Sequence, residues 1–514
     1  MRMVTLNGYF HFNTIFRKEN IITQIVIKLT LIKKPRIMKG IESILLLLLL
    51  CGVLTSCSDS TSGNSIIDEP ETPETSFDLC NPKNWSLASV PALFPEASLI
   101  NDVAYGKNRA LLAWYTIDRL FTKRGSAYAP GYIKNDLDAL SYPYAREVAI
   151  NEVFPGRDIN YGESSVIQTL NLSFYPRERG PYNLDATNVD VEGYLLYPEM
   201  RWGGIMCKID NTNFEQAGIK YIQFWMLDPF MDPELDNQDG GLLYFNLGDV
   251  SEDVLKDGLK SYENGLPANG DNTNLITTVW GRVSNLGPVT YAYDNASGAR
   301  IHQDVGLDGL INQDEYTHPS YANYLNKLRA MLSESTLVAM LNDPFSPFND
   351  PAGDNYAYCR NSYYDSQRSA ILERYKHYNG TDGNSLSQSD AADSQYQQAR
   401  STPDTEDINN DNTLNENERY FQYRIAIHPD SMQVGRNYIT DMLVAKVHTR
   451  NGEIQVATWY HFMIPLADYE RKFGSIQDFS NIRFMRVFMT GFSGITHLRF
   501  ATLKFATHEL ARGE

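Results

Sequence analysis

Runs of aromatic and β-branched residues, bounded by Gly, Asp and Pro, recur in two parts of the chain. The earlier part contains residues 203–209 (GGIMCKI), 219–227 (IKYIQFWML) and 241–247 (GLLYFNL). In the later part, residues 419–427 (RYFQYRIAI) alternate apolar and more polar positions, and similar runs follow at 454–466, 481–489 and 497–505. This composition and this period of two are typical of β-strands. The pattern therefore predicts a mainly β protein.

Helical spacing occurs between and before these strand-like runs. Apolar residues recur three and four positions apart from Tyr321 to Leu332, after Ser320 as a candidate N-cap. Residues 105–150, which include RALLAWYTIDRLF, also predict mainly helical structure. Strands on both sides of a helical part favour one sandwich that carries an insertion.

The predicted domain organisation follows from these segments. We expect a mixed, mainly helical segment over residues 89–200. A jelly-roll-like β-sandwich should occupy residues 201–514, with a helical, calcium-binding insertion at about 251–418.

The first 57 residues predict a targeting signal. After Met38 and a lysine, the apolar run from Ile44 to Leu54 is too short for a membrane-spanning helix of ~20 residues, but it suits a secretory signal peptide. Leu54-Thr55-Ser56-Cys57 resembles a lipobox, which implies cleavage before Cys57 and its lipidation. The alternative is an ordinary signal peptide with an incidental cysteine.

Two short segments flank this signal. We expect residues 1–37 to be an upstream extension, so that Met38 is the first translated residue. Residues 58–88 begin with a polar stretch, SDSTSGNSIIDEPETPETS, which has too few apolar side chains to offset the entropy of ordering the chain. They predict a flexible tether.

The charge of the chain argues against a nucleic-acid-binding protein, and its cysteines argue against a disulfide framework or a cysteine metal site. The chain has 63 Asp and Glu against 45 Lys and Arg, so its formal charge of −18 opposes binding to nucleic acid. Cys80, Cys207 and Cys359 permit at most one disulfide, and none of their spacings is typical of a metal site.

The 407–418 loop has the oxygen spacing of an EF-hand calcium loop. Its candidate ligands, at positions 1, 3, 5, 7, 9 and 12, are Asp407, Asn409, Asp411, Thr413, Asn415 and Glu418, with Thr413 contributing its carbonyl. Asn412 stands at position 6, where glycine is usual, but asparagine tolerates a left-handed conformation. The alternative is a solvated acidic turn.

The 304–315 loop shows the same pattern with one gap. Its candidate ligands are Asp304, Asp308, Asn312 and Glu315, at positions 1, 5, 9 and 12, with Gly309 at position 6. Gly306 at position 3 supplies no side-chain oxygen, so water or another segment would have to take that place. Here too the alternative is a solvated turn, and any calcium in either loop is expected to be structural.

Catalytic motifs are absent from the sequence. It contains no H-E-x-x-H, no G-x-S-x-G and no P-loop. A glycosidase pair could be chosen only arbitrarily among 63 acidic residues. Trp202, Trp225, Trp280 and Trp459 could line a sugar site, but such residues are more often core. We therefore predict that the chain is not an enzyme.

Several long motifs resemble one family. They are 161–185 (YGESSVIQTLNLSFYPRERGPYNLD), 201–230, 240–267, 304–310 (DVGLDGL), 371–385 and 406–421 (EDINNDNTLNENERYF). They resemble SprA, also called Sov, the outer-membrane translocon of the type IX secretion system, which also supports gliding motility. The resemblance runs from about Arg109 to the C-terminus and implies the SprA N-terminal domain region.

This chain differs from that family in its length and its strands, and these differences change the function that we expect. Family members are several times longer and form a large transmembrane barrel, and this chain lacks the required series of strands. We expect a fragment or a stand-alone lipoprotein, lipid-anchored at the outer membrane on its periplasmic or cell-surface face. Its partners would be type IX components or a downstream barrel-forming polypeptide. The alternative is a surface lipoprotein that binds glycan through its sandwich.

Overall fold

Two six-stranded antiparallel sheets form a sandwich in the computed structural model, which describes residues 79–507 except 124, 288–289, 297 and 384–401. These residues belong to one unit, Pro70–Glu514. The predicted signal peptide and the predicted lipidation site Cys57 lie outside the described residues.

The strands of the two large sheets alternate between distant parts of the chain. In spatial order, the first sheet consists of β1 (Ser86–Leu87), β6 (Trp202–Lys208), β15 (Phe484–Thr490), β8 (Gly241–Asp249), β11 (Arg419–Ile427) and β14 (Arg471–Phe473). The second sheet consists of β12 (Ile439–His448), β13 (Ile454–Pro465), β7 (Tyr221–Leu227), β16 (Thr496–Ala506), β5 (Leu170–Arg179) and β2 (Ala110–Tyr115). The prediction of a mainly β sandwich is confirmed.

Short elements occupy the connections. Two small hairpins pair β3 (Val148–Ala149) with β4 (Val166–Ile167) and β9 (Leu275–Thr277) with β10 (Arg282–Ser284). The α-helices of the described residues are α1 (Arg119–Thr122), α2 (Gly131–Lys134), α3 (Ile150–Val153), α4 (Arg300–Gln303), α5 (Asn312–Glu315), α6 (Pro319–Met331), α7 (Glu334–Asn342) and α8 (Ser362–Ser366). The described residues also form 3₁₀ turns at Pro82–Asn84, Pro95–Ser98, Val103–Gly106, Ala139–Ser141, Pro198–Met200, Pro233–Leu235, Glu263–Gly265, Leu372–Tyr375 and Pro429–Ser431.

Aromatic side chains fill the space between the two sheets. Phe224 on β7 stacks on Phe462 of β13, with ring centroids 4.6 Å apart, and packs at 5.4 Å against Phe500 of β16. Across the sandwich it meets Phe245 of β8 at 5.7 Å. All four rings are buried because alternate residues of each strand point to the same face of its sheet.

The outer face of the second sheet is also covered. Trp459 and Leu227 point away from Phe224 and pack with Tyr144, Val148 and Val153 from the region between β2 and β5. A buried ion pair extends this contact, since Arg146 binds Glu152 at 2.6 Å and Trp459 Nε1 donates to the same carboxylate at 2.9 Å. The second sheet is therefore buried on both faces over part of its length.

The predicted boundary at residue 201 is not a boundary of the sandwich. Residues 110–115, predicted to be helical, form strand β2, and β5 (Leu170–Arg179) also lies in the second sheet. The helical prediction was wrong because β2 is buried along its whole length. An unbroken apolar run carries no period of two, so it cannot be told from a buried helix.

Two further expectations need correction. Residues 79–88, assigned to the tether, contain β1 and bury Leu79, Trp85 and Leu87 in the core. Helix α6 begins at Pro319 after the N-cap residue His318, whereas Ser320 Oγ donates to the Val279 carbonyl at 2.6 Å. Proline at the first helical position explains the start, since it has no N–H to satisfy there.

Candidate cation sites

The 304–315 loop lies against a second acidic loop. It leads from α4 into α5, and Gly306 and Gly309 within it have φ of 78° and 69°, a region that favours glycine. A Cβ on Gly306 would lie 2.2 Å from Asp354 Oδ2. Glycine is therefore needed at this position for the two loops to approach each other.

Four carboxylates gather where these loops meet. Asp308 and Glu315 come from the 304–315 loop, and Asp350 and Asp354 come from the segment after α7. Each is at most 1% exposed. We call these four residues the carboxylate cluster.

Hydrogen bonds fix part of the carboxylate cluster. Asp308 accepts from Leu310 N at 2.9 Å and from Tyr321 Oη at 2.6 Å. Asp350 accepts three backbone N–H groups, those of residues 353, 354 and 355, at 2.8 to 3.2 Å. These two carboxylates are held by the fold itself.

Three oxygens in the same region accept no hydrogen bond from the described residues. Glu315 Oε2 accepts from Ala352 N at 2.7 Å and Asp354 Oδ2 accepts from Tyr182 Oη at 2.7 Å, but Glu315 Oε1 and Asp354 Oδ1 are buried without a partner. Asn312 Oδ1 is the third, although its amide donates to the Asn349 carbonyl at 2.8 Å. Buried polar atoms are normally satisfied, so these oxygens need an explanation.

Burial raises the pKa of every member of the carboxylate cluster. The pKa of Asp308 rises to about 7. The pKa values of Glu315 and Asp354 are well above the usual range, first through burial and then through the charges of their acidic neighbours, starting with Asp308. Burial also raises the pKa of Asp350, which Arg179 partly opposes. The charged forms are thus costly in the protein alone.

The remaining predicted residue of this loop is engaged elsewhere. Asp304 forms an ion pair with Arg300 at 2.9 Å and accepts from Tyr293 Oη at 2.9 Å. The structure therefore places Asp308, Asn312 and Glu315 near Asp350 and Asp354, while it directs Asp304 to Arg300.

The 407–418 loop forms the turn that its sequence predicts. Asp407 accepts the N–H groups of Asp411 at 3.0 Å and Asn412 at 2.8 Å. Asn412 has φ of 65°, which confirms the expectation of a left-handed residue at that position. Asp407 also contacts the ammonium group of Lys260 at 3.4 Å.

The middle residues of this loop bind one another. Asn409 Oδ1 accepts from Asp411 N at 2.9 Å, and Asp411 Oδ1 accepts from Thr413 N at 2.9 Å. Asp411 also forms an ion pair with Arg483 at 2.8 Å. Their oxygens are used to shape the turn.

The end of the loop is tied to the first sheet. Asn415 Nδ2 donates to the Val250 carbonyl at 2.6 Å. Both oxygens of Glu418 accept hydrogen bonds from Arg486 of β15, at 3.0 and 2.8 Å. The structure therefore directs Glu418 to Arg486, away from Asp407.

Sequence reasoning missed three acidic residues of these loops. Glu252, which follows β8, accepts the N–H groups of Ile408 at 3.0 Å and Asn415 at 3.1 Å, and burial raises its pKa to about 7. Asp350 and Asp354 have one visible signal, a pair of acids four residues apart around Pro351, Ala352 and Gly353. That spacing is too common in an acidic chain to identify a site.

No ready-made metal centre exists in the described part of the chain, where no group of three or more His, Cys, Asp or Glu side chains is arranged to hold an ion. The calcium assignment of both loops thus stays a prediction. In the same residues, no helix is long and apolar enough to span a membrane.

The cysteine and tryptophan side chains fit a packing role. Cys207 and Cys359 are buried thiols outside any disulfide. Trp202, Trp280 and Trp459 are fully buried, which confirms that these three belong to the core. Their rings are not available to stack on a sugar.

Comparison with known proteins supports the family resemblance over part of the chain. A search of curated proteins finds no match. The family model of the SprA N-terminal domain, described as a motility related/secretion protein, matches residues 323–513. The match runs from within α6 through β16, so it includes β11 to β16 and part of the insertion. Over residues 323–513, the chain is therefore similar to the SprA N-terminal family, which is described as motility related/secretion.

Proposed function

We propose that this protein is a non-catalytic module of a motility-linked secretion apparatus, related to the N-terminal region of the SprA translocon. The observation that carries the proposal is the family match over residues 323–513. This stretch supplies strands to both sheets and part of the helical insertion, so the matched segment is integral to the sandwich.

The proposed location is the outer membrane, through a lipid on Cys57. The sequence before Cys57 supports this assignment, because a short apolar run and a lipobox-like Leu54-Thr55-Ser56-Cys57 precede a polar segment. One or two acyl chains and a tether would hold the sandwich at the periplasmic or cell-surface face. Its partners there would be type IX secretion components or a barrel-forming polypeptide.

The test is co-purification from outer membranes of the native organism. The full chain with an affinity tag near its C-terminus is extracted in mild detergent, and the bound proteins are identified by mass spectrometry. We expect type IX components to be enriched over a control in which an unrelated outer-membrane lipoprotein carries the same tag. Equal recovery with both baits would overturn the proposal.

The lipid anchor has its own test. Cys57→Ser should move the protein from the detergent phase to the aqueous phase in a phase-separation assay and should abolish labelling with a radioactive fatty acid. Cys51→Ser, six residues earlier within the apolar run, is the matched control and should behave like the wild type. Labelling that survives Cys57→Ser would exclude the proposed anchor.

Glycan binding through the sandwich is the competing proposal. Trp202, Trp280 and Trp459 are buried, and the partly buried Trp225 stacks on His461, so little tryptophan surface is left for sugar rings. Retardation of the protein in polysaccharide-containing gels, without enrichment of secretion components, would favour glycan binding.

A further inference from the structure

We propose that the carboxylate cluster, Asp308, Glu315, Asp350 and Asp354, together with Asn312, binds one calcium ion between two loops. The site differs from an EF-hand loop because half of its carboxylates come from a second segment. Its role would be to join the 304–315 loop to the 350–354 loop.

The protein already brings the two loops together. Tyr182 links them, since its hydroxyl donates to Asp354 and accepts from Leu307 N at 2.9 Å. Its backbone N–H donates to the Ala352 carbonyl at 2.7 Å. Glu315 crosses to the second loop through Ala352 N. The backbone framework of a two-loop site is thus in place.

Two carboxylate oxygens of the cluster lack a hydrogen-bond partner among the described residues. Glu315 Oε1 and Asp354 Oδ1 belong to side chains with no exposed surface, and they accept nothing from the described residues. A buried carboxylate oxygen without a partner costs several kcal/mol in general. A cation held between these oxygens would remove that cost.

The carboxylate cluster also carries charge that the protein offsets only in part. Two ion pairs of the same loop, Arg300–Asp304 and Arg282–Asp314, use other carboxylates. Arg179 donates to the Asp350 carbonyl at 2.7 Å, and Arg282 donates to the Gly309 carbonyl at 2.8 Å. These two guanidinium groups offset only part of the charge of the cluster, and a divalent ion would offset most of the remainder.

The donor atoms favour calcium over other ions. Each candidate donor is a carboxylate or amide oxygen, which favours a hard cation over zinc or copper. Four carboxylates can supply the six to eight oxygens that calcium takes, whereas magnesium usually keeps several waters and binds few carboxylates. The cluster is also too deeply buried to keep a shell of water.

The cluster has not closed on a single point in the structure. Its carboxylates are turned toward backbone N–H groups and tyrosine hydroxyls. Calcium binding therefore requires side-chain rotation of Glu315 and Asp354, the two carboxylates with an unpartnered oxygen.

The experiment compares the full chain with a double variant, Glu315→Gln with Asp354→Asn. Both changes preserve shape and remove charge, so the variant should keep its circular dichroism spectrum. Calcium binding is measured by isothermal titration after chelation, and thermal unfolding is followed in 2 mM CaCl2, 2 mM MgCl2 or EDTA. Asp314→Asn, an acidic neighbour half-exposed in its pair with Arg282, is the matched control.

The expected result has two parts. In calcium the melting temperature of the wild type and of Asp314→Asn should rise by about 1 to 4 °C over the value in EDTA, and that of the double variant should not. In EDTA the double variant should be at least as stable as the wild type, because neutral amides avoid the repulsion between buried carboxylates.

Three results would overturn the proposal. They are an unchanged melting temperature of the wild type in calcium, equal calcium binding by the wild type and the double variant, and stabilisation by magnesium without stabilisation by calcium. If the double variant fails to fold, Asn312→Ala provides the same comparison, since it removes one unpartnered oxygen at a less buried position. Failure of this proposal leaves the secretion module untouched, because co-purification does not depend on calcium at this site.

Discussion

Arg486 on β15 donates to both carboxylate oxygens of Glu418, with Nη1 to Oε1 at 3.0 Å and Nη2 to Oε2 at 2.8 Å. The guanidinium is fully buried, whereas the carboxylate is about one-fifth exposed. Arg486 also donates to Asn246 of β8 at 2.9 Å. One side chain thus connects two neighbouring strands of the first sheet to the end of the 407–418 loop.

Replacement of Glu418 by alanine should lower the free energy of unfolding by about 3 kcal/mol, because it leaves the buried Arg486 without its counter-charge. Chemical denaturation in calcium and in EDTA measures the loss, which we expect to be the same in both. Glu416→Ala, two residues earlier and exposed, is the control. A loss confined to calcium would instead restore Glu418 as a calcium ligand.

Replacement of Glu152 by alanine should cost about 3 to 5 kcal/mol. The change leaves the buried Arg146 without its counter-charge and also removes the acceptor of Trp459 Nε1. Denaturation with urea gives the loss, and limited proteolysis should show earlier cleavage near α3. Arg119→Ala, which breaks the partly exposed pair with Glu147, should cost no more than about 1 kcal/mol. Similar losses in both variants would contradict the role given to burial.

Replacement of Phe224 by alanine should cost about 3 to 5 kcal/mol, since it leaves a cavity among three aromatic rings from both sheets. Thermal and chemical unfolding should agree on the loss. Val456→Ala on the exposed part of β13 is the control and should stay within about 0.5 kcal/mol. A loss below about 1 kcal/mol for Phe224→Ala would show that this ring is not central to the packing.

Acid should destabilise the protein through His497. This side chain is buried beside Ser173, with Nδ1 to Oγ at 2.7 Å, and burial lowers its pKa from 6.5 to about 4. The unfolded chain therefore binds a proton at this residue that the folded protein does not, so the contribution of His497 to stability falls by about 3 kcal/mol as the pH drops from about 6.5 toward 4. The buried carboxylates with raised pKa values contribute with the opposite sign.

His497→Gln should reduce this dependence, as measured by urea unfolding at several pH values. It should not abolish it, because burial also lowers the pKa of His377, to about 3. His448→Gln on the exposed edge strand β12 is the control. An unchanged slope between pH 6.5 and 4.5 in His497→Gln would refute the assignment.

Much of the sandwich was predictable because its strands carry local signals. The alternation in residues 419–427 gave the bounds of β11, Arg419–Ile427, and the predicted runs 219–227 and 241–247 contain β7 and most of β8. Strand β2 was not predictable, since contacts on both of its faces come from elements distant in sequence. The order of apolar and polar residues along a strand depends on what packs against each of its faces. One sequence does not show which residues those are.

The loops show the same limit at the level of single side chains. The left-handed conformation expected at Asn412 is present, because it is a local property of the backbone. The pairing of Glu418 with Arg486 joins residues 68 positions apart, and no local spacing encodes it. Asp350 and Asp354 meet Glu315 for the same reason, through tertiary structure alone.

The positions of β15 and β16 have a consequence for how the protein acquires its structure. β15 lies between β6 and β8 in the first sheet, and β16 lies between β7 and β5 in the second sheet. Each of the last two strands of the described chain is therefore an inner strand of one sheet. Neither sheet can be completed until its inner strand, β15 or β16, has been synthesised. A chain whose synthesis stops before residue 484 would lack one inner strand in each sheet. The strand edges left unpaired could then pair with a strand from another polypeptide. Premature folding of the earlier strands is thereby limited until the final segment arrives.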